Sequence, residues 1–144
     1  MRSGASFYRV DSSESFKRVG GSALGVSFVW GVTRFLGLYT DPTEMCNDAK
    51  NGDSSKVDMS VGDIYGCDYE GLNMPGSYLA SSFGKLKDLD EDGIKETVTG
   101  GDITRSLITM VVANVLVFSK SIAEQEGLKR IVWIGTHIDL LEYN

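Results

Sequence analysis

From Leu107 to Phe118 the chain is apolar on nearly every side of a helix, interrupted only by Thr109 and Asn114. A helix of that kind in a water-soluble protein has to lie between layers, because no face of it suits solvent. Gly100-Gly101-Asp102 precedes it, with Asp102 placed to accept from the first exposed N–H groups, and Gly127 follows where a left-handed stop is needed. The pattern predicts a buried helix from Ile103 to about Glu126. The apolar run is shorter than the roughly 20 residues of a bilayer span, so no membrane crossing is expected. After a short turn, Arg130-Ile-Val-Trp-Ile134 is continuously apolar and ends at Gly135. That is the pattern of a parallel strand covered on both faces, and helix followed by buried strand predicts α/β architecture. With 144 residues there is room for about one domain.

The N-terminal third reads differently. Ala5–Val10 and Phe16–Val19 are rich in aromatic and β-branched residues and flank the polar Asp11–Ser15, which predicts a hairpin. Gly20-Gly21-Ser22 is expected to break the second strand, and Phe28–Leu38 reads as a buried helix. Asp41-Pro42-Thr43-Glu44 opens a short helix to about Lys50, proline being tolerated where its missing N–H costs nothing. Val57, Val61, Ile64 and Tyr65 recur at helical spacing, predicting a helix over 54–65 stopped by Gly66. Residues 71–84 show no single period and are expected to be loop with a short helix. The end of the chain, from Asp139, reads as the start of an element that the sequence does not complete.

Charge and composition narrow the function classes. Fourteen basic against twenty acidic residues give a net charge of −6, the wrong sign for a nucleic-acid binder. Met1 to Ser6 lacks the apolar core of a secretory signal, so an intracellular, cytoplasmic chain is expected. Cys46 and Cys67 stand alone, and a single histidine, His137, makes a His-rich metal site impossible. Asp88-Leu-Asp-Glu-Asp-Gly93 supplies the first half of a calcium loop, but Thr99 stands where the bidentate Glu belongs, so a solvated acidic loop is expected. Gly20, Gly21, Ser22 and Gly25 could bring backbone N–H groups to a phosphate, or could simply be a strand-to-helix turn. Ser3 and Ser6, with Arg18 on the facing strand, could set two hydroxyls and a guanidinium around an anionic or polyhydroxyl ligand. A surface arginine on a hairpin is the ordinary alternative.

Several segments together resemble the C-terminal part of eukaryotic-type (type II) pantothenate kinases. The strongest are Gly52-Asp-Ser-Ser-Lys-Val-Asp58, Val61-Gly-Asp-Ile-Tyr-Gly66 with Asp68-Tyr69, and Ala80-Ser-Ser-Phe-Gly84. Ser3-Gly4-Ala5-Ser6 is similar to the family's GSGxS strand, Lys17-Arg18-Val19 to its KRV strand, and Gly20–Gly25 to its glycine turn. The resemblance runs from about Ser3 to Gly135.

It implies an actin-like fold of two ribonuclease-H-like lobes, as in the acetate and sugar kinases and heat-shock 70, of which this chain is an incomplete second lobe. The activity implied is ATP-dependent phosphorylation of pantothenate with Mg²⁺, the first step of coenzyme A synthesis. Ser3, Ser6 and Arg18 are the implied contacts to pantothenate and to the inhibitor acetyl-CoA, and Gly20, Gly21, Ser22 and Gly25 the implied phosphate turn. A homodimer, or a partner supplying an N-terminal lobe, is also implied. The family's DxGGT segment and catalytic glutamate have no counterpart in these residues, so no catalytic residue is assigned and negligible kinase activity is expected of the chain alone. The alternative is a non-catalytic acyl-CoA-binding or dimerisation module.

Overall fold

The computed structural model describes residues 4–135, divided between two units. One is Leu38–Met110; the other joins residues 4–37 to 111–135. The second of these contains strands β1 (Ala5–Val10) and β2 (Phe16–Ser22), paired antiparallel, and helix α1 (Val26–Phe35). The first contains helix α2 (Pro42–Asn51), the short antiparallel pair β3 (Met59–Ser60) and β4 (Leu79–Ser81), helix α3 (Val61–Tyr65) and helix α4 (Glu91–Thr97). Helix α5 (Gly100–Gln125) is the longest element, and the division between units falls inside it. The architecture is mixed α/β, with both described sheets antiparallel.

The caps explain why the elements start and stop where they do. Asp41 accepts from the N–H groups of Thr43 and Glu44, with Pro42 at the first helical position of α2. Thr99 and Asp102 close a reciprocal box at the start of α5: the Thr99 hydroxyl accepts from Asp102 N–H and the Asp102 carboxylate from Thr99 N–H. At its far end Gly127, at φ 67°, directs its N–H to Glu124 and that of Leu128 to Ala123, the paired bonds of a Schellman stop. The acidic run is the start of a helix, with Asp90 accepting from Gly93 N–H at the cap of α4.

Several other expectations are corrected. Residues 54–65 are not one helix: a 3-10 turn at Ser54–Lys56 leads into β3 and then α3, because Ser60 and Asp63 form a capping box that starts a new helix at Val61. Within 71–84 the chain forms a strand, β4, paired with β3. Arg130–Ile134 forms no strand, and Ile134 is 89% exposed. A strand needs a hydrogen-bonding neighbour, and among the described residues both sheets are two-stranded pairs formed elsewhere. Helix α5 is not buried throughout: Leu107, Ile108 and Val112 are buried, whereas Val117 is 66% exposed with Leu116 and Phe118 about half so. Its length and apolarity alone would suffice to cross a membrane. Thr104 and Ser106, however, are wholly buried beside Leu107, which is the packing of a core helix. Helix α1 likewise buries only Val29 and Thr33 and leaves Phe35 exposed.

The Leu38–Met110 unit is held by a core of Met45, Ala49, Val57, Val61, Leu107 and Ile108, in which burial of each side chain larger than alanine contributes on the order of 2 kcal/mol. Polar ties cross it. Asp58, 6% exposed, accepts through Oδ1 from Phe83 N–H at 3.0 Å and from the Ser106 hydroxyl on α5, while its Oδ2 has no partner. Phe83 sits at φ 60°, a left-handed conformation unusual for a bulky residue, and the Asp58 bond helps hold it there. A Cβ on the next residue, Gly84, would lie 2.8 Å from the Cβ of Met59. Because only one Asp58 oxygen is engaged, Asp58→Asn, placing its amide at the unpartnered position, should cost about 1 kcal/mol. Asp58→Ala, which strands the Phe83 and Ser106 donors, should cost about 3 kcal/mol. Urea unfolding of both variants checks this; equal losses would contradict it.

Candidate functional site

The hairpin has two chemically distinct faces. Ala5, Phe7 and Arg9 of β1 are half-buried, and Ser6, Tyr8 and Val10 alternate with them on the exposed side. The inner face is seated on α5. A Cβ on Gly20 would come within 2.8 Å of the Ile122 side chain, and Arg9 donates to Glu126 at 3.2 Å and to Asp11 at 2.8 Å. These two carboxylates raise the pKa of Arg9, Asp11 having the larger effect.

The outer face carries the candidate ligand groups. Ser6 pairs with Gly21, Phe7 with Gly20 and Tyr8 with Arg18, so the register slips by one residue at Val19. Residues 18 and 21, three apart, would lie on opposite faces of a regular strand. The bulge places both on the outer face. The Arg18 guanidinium lies folded over Gly21, where a Cβ would collide with its Nη2 and stand 3.0 Å from the carbonyl oxygen of Ala5. Arg18 therefore reaches the rung that Gly21 shares with Ser6. Among the described residues neither the Arg18 guanidinium nor the Ser6 hydroxyl makes a hydrogen bond or ion pair, so both are available to a ligand. Tyr8 and Phe16 pack edge to face beside them with ring centroids 6.3 Å apart. A planar fork of donors, a hydroxyl and two exposed rings together suit a ligand with an anionic group and an apolar portion.

Of the residues expected at this site, the structure brings Ser6, Arg18 and Gly21 together; Ser3 lies outside the described residues. The phosphate turn is corrected. Gly20 and Gly21 are inside β2, not in a loop, because the bulge lets the strand continue through both glycines to Ser22. Ser22 accepts from Leu24 N–H at 3.1 Å, a local turn bond that engages its hydroxyl. Gly25 precedes α1 without a side-chain cap, and its missing Cβ admits Gly4, whose Cα would stand 2.8 Å away. The glycines thus serve close packing of strand, turn and helix start. Tyr8 and Phe16 were legible as outer-face neighbours from two-residue alternation about Ser6 and Arg18; the bulge was not.

In the other unit a shallow hollow is lined by Tyr39, Asp41, Glu44 and Asp48. Burial and a hydrogen bond to Asp48 push the Tyr39 hydroxyl up to about 12, and the lining is acidic, the opposite of an anion site.

A model of the Fumble family matches residues 1–143. The chain belongs to the Fumble family. Among Fumble relatives, "Pantothenate kinase 2" of Arabidopsis thaliana is 37% identical over 137 residues, which cover 94% of this chain and 15% of that protein. "Pantothenate kinase" of Schizosaccharomyces pombe is 36% identical over 138 residues, covering 94% of this chain and 34% of that protein. "4'-phosphopantetheine phosphatase" of Mus musculus is 32% identical over 136 residues, 94% of this chain and 16% of that protein. The chain thus spans 15% to 34% of the length of these Fumble relatives. The segments on which the resemblance rests fall mainly in the Leu38–Met110 unit, where they have structural work. Asp53 caps the 3-10 turn, Asp58 holds Phe83, and Asp63 caps α3 while pairing with Lys85 at 2.9 Å. Hydrogen bonds from the Ser60 N–H, Lys85 and the Ser60 hydroxyl hold Asp63 down at about 2.

Proposed function

We propose that this chain supplies the pantothenate and acetyl-CoA side of a pantothenate kinase, on the outer face of the hairpin. The observation that carries the reading is the unpaired Arg18 guanidinium at the Ser6–Gly21 rung. Arg18 would take a carboxylate or phosphate oxygen in its fork, Ser6, with Ser3 beside it in sequence, would bond the polar backbone of the ligand, and Tyr8 and Phe16 would cover its apolar part. The relatives named above share this chemistry, since pantothenate is a moiety of 4'-phosphopantetheine. In this reading the fold is a second lobe of the actin-like kind, and the protein works in the cytoplasm as a homodimer or with an N-terminal lobe.

Phosphoryl transfer depends on positioning and on charge stabilisation around the phosphates. Among the described residues no cluster of three or more His, Cys, Asp or Glu side chains could hold a metal ion. The strand-bound Gly20 and Gly21 do not form a phosphate cradle. No step is assigned to Mg²⁺ or the ATP phosphates on these residues. The expected result is acetyl-CoA binding without pantothenate-dependent ATP turnover in a coupled assay of the chain alone. Turnover well above blank would overturn the division of labour, and absence of acetyl-CoA binding would overturn the reading. A second reading, a non-catalytic acyl-CoA-binding module, is favoured by the placement of Gly20 and Gly21 inside β2 instead of in a turn. It predicts that adding the N-terminal part of a relative restores no turnover.

A further inference from the structure

We infer that Gly21 is a positioning residue for Arg18: its bare backbone is the seat on which the guanidinium rests, and the Val19 bulge delivers Arg18 to that seat. The inference rests on the reading of the outer face as the acyl-CoA site and assigns Gly21 to that site, not to a phosphate turn.

Gly21 lies outside the left-handed region of backbone conformation, so its φ does not itself demand glycine. It is exposed, so no core packing demands a glycine. What a side chain would meet is the far end of Arg18, with the Ala5 carbonyl oxygen at 3.0 Å as the next nearest atom. A flexible side-chain end yields more readily than backbone. Alanine at 21 should therefore displace the guanidinium from the Ser6 rung and leave the hairpin paired. The arrangement also needs the bulge, because without it Arg18 and Gly21 would face opposite sides. One glycine thus sets where the donors of the fork point, and hence which anionic group beside Ser6 they can reach.

The test is a double-mutant cycle on acetyl-CoA affinity, measured by calorimetry on the full chain, with unfolding midpoints taken for every variant. Gly21→Ala should weaken binding by at least about tenfold, within the about 10- to 100-fold range expected for Arg18→Ala, and the double variant should lose no more than Arg18→Ala alone. A purely structural role for Gly21 would lower the unfolding midpoint and would add to the Arg18 effect. Additive losses, or wild-type affinity in Gly21→Ala while Arg18→Ala is impaired, would overturn the inference and leave the site reading intact. Wild-type affinity in Arg18→Ala would overturn the site reading itself. Should Gly21→Ala fail to fold, recovery of folding in the double variant supports the contact. Failure of both would place the obstacle at the Ala5 carbonyl and overturn the seat.

Discussion

Asp102→Ala will lower the stability of the fold by about 3 kcal/mol, a loss as large as that expected from Asp58→Ala. Asp102 is 2% exposed, and its carboxylate makes three contacts at once. It accepts from Thr99 N–H at 2.9 Å in the box that starts α5, accepts from Asp53 N–H at 2.7 Å, pairs with the Lys56 ammonium at 3.1 Å, and so ties the signature segment 52–58 to the helix. Alanine leaves two backbone donors without their acceptor and removes the carboxylate half of the box that starts α5, while the bond from its own N–H to the Thr99 hydroxyl can persist. A loss within about 0.5 kcal/mol of zero in urea unfolding would contradict this assignment.

The same carboxylate sets a pH dependence. Burial acts to raise its pKa, but the N–H groups of Asp53 and Thr99, Lys56 and the Thr99 hydroxyl outweigh that and bring it from 3.8 to about 2. A carboxylate with a depressed folded pKa contributes fully above its unfolded value and loses that contribution as pH falls toward the folded one. About 2 kcal/mol should therefore disappear between roughly pH 4 and pH 2. In Asp102→Asn the acid limb of the stability profile should be shallower over that window.

Arg18→Ala will weaken acetyl-CoA binding about 10- to 100-fold, the range expected when a charge-assisted fork to phosphate or carboxylate is lost. Folding should be unaffected, because Arg18 is exposed and makes no ion pair among the described residues. Arg18→Lys should recover only part of the affinity, since an ammonium is a point charge and cannot present two parallel donors. Full recovery in Arg18→Lys would mean that net charge, not the fork, is recognised. The loss should also shrink with added salt, as expected for a partly solvated ionic contact.

Local chemistry made part of this fold readable. The hairpin, the Asp41 and Pro42 start of α2, the Gly66 stop and the Gly127 stop all rest on residues whose backbone preferences dominate their surroundings, and each is where the sequence puts it. The errors arise where a partner decides. Val57, Val61 and Ile64 have helical spacing, yet the Ser60–Asp63 box and the pairing of Met59 with Ser81 divide the segment into turn, strand and helix. Arg130–Ile134 has the composition of a buried strand, but composition does not supply a neighbour to pair with. At the site, alternation placed Ser6 on the same hairpin as Arg18. The bulge at Val19, which nothing in the residue types marks, is what turns Arg18 onto Gly21. The glycines read as a phosphate turn owe their places to close approach, at Gly20 by Ile122 and at Gly25 by Gly4.

Native mass spectrometry of the purified chain with and without acetyl-CoA, with Arg18→Ala measured alongside, decides whether the outer face of the hairpin binds acetyl-CoA through Arg18. A discrete species that gains the mass of acetyl-CoA, with the gain lost in Arg18→Ala, is the predicted result. A folded chain that gains no ligand, or gains it equally in Arg18→Ala, would contradict the assignment of the hairpin's outer face.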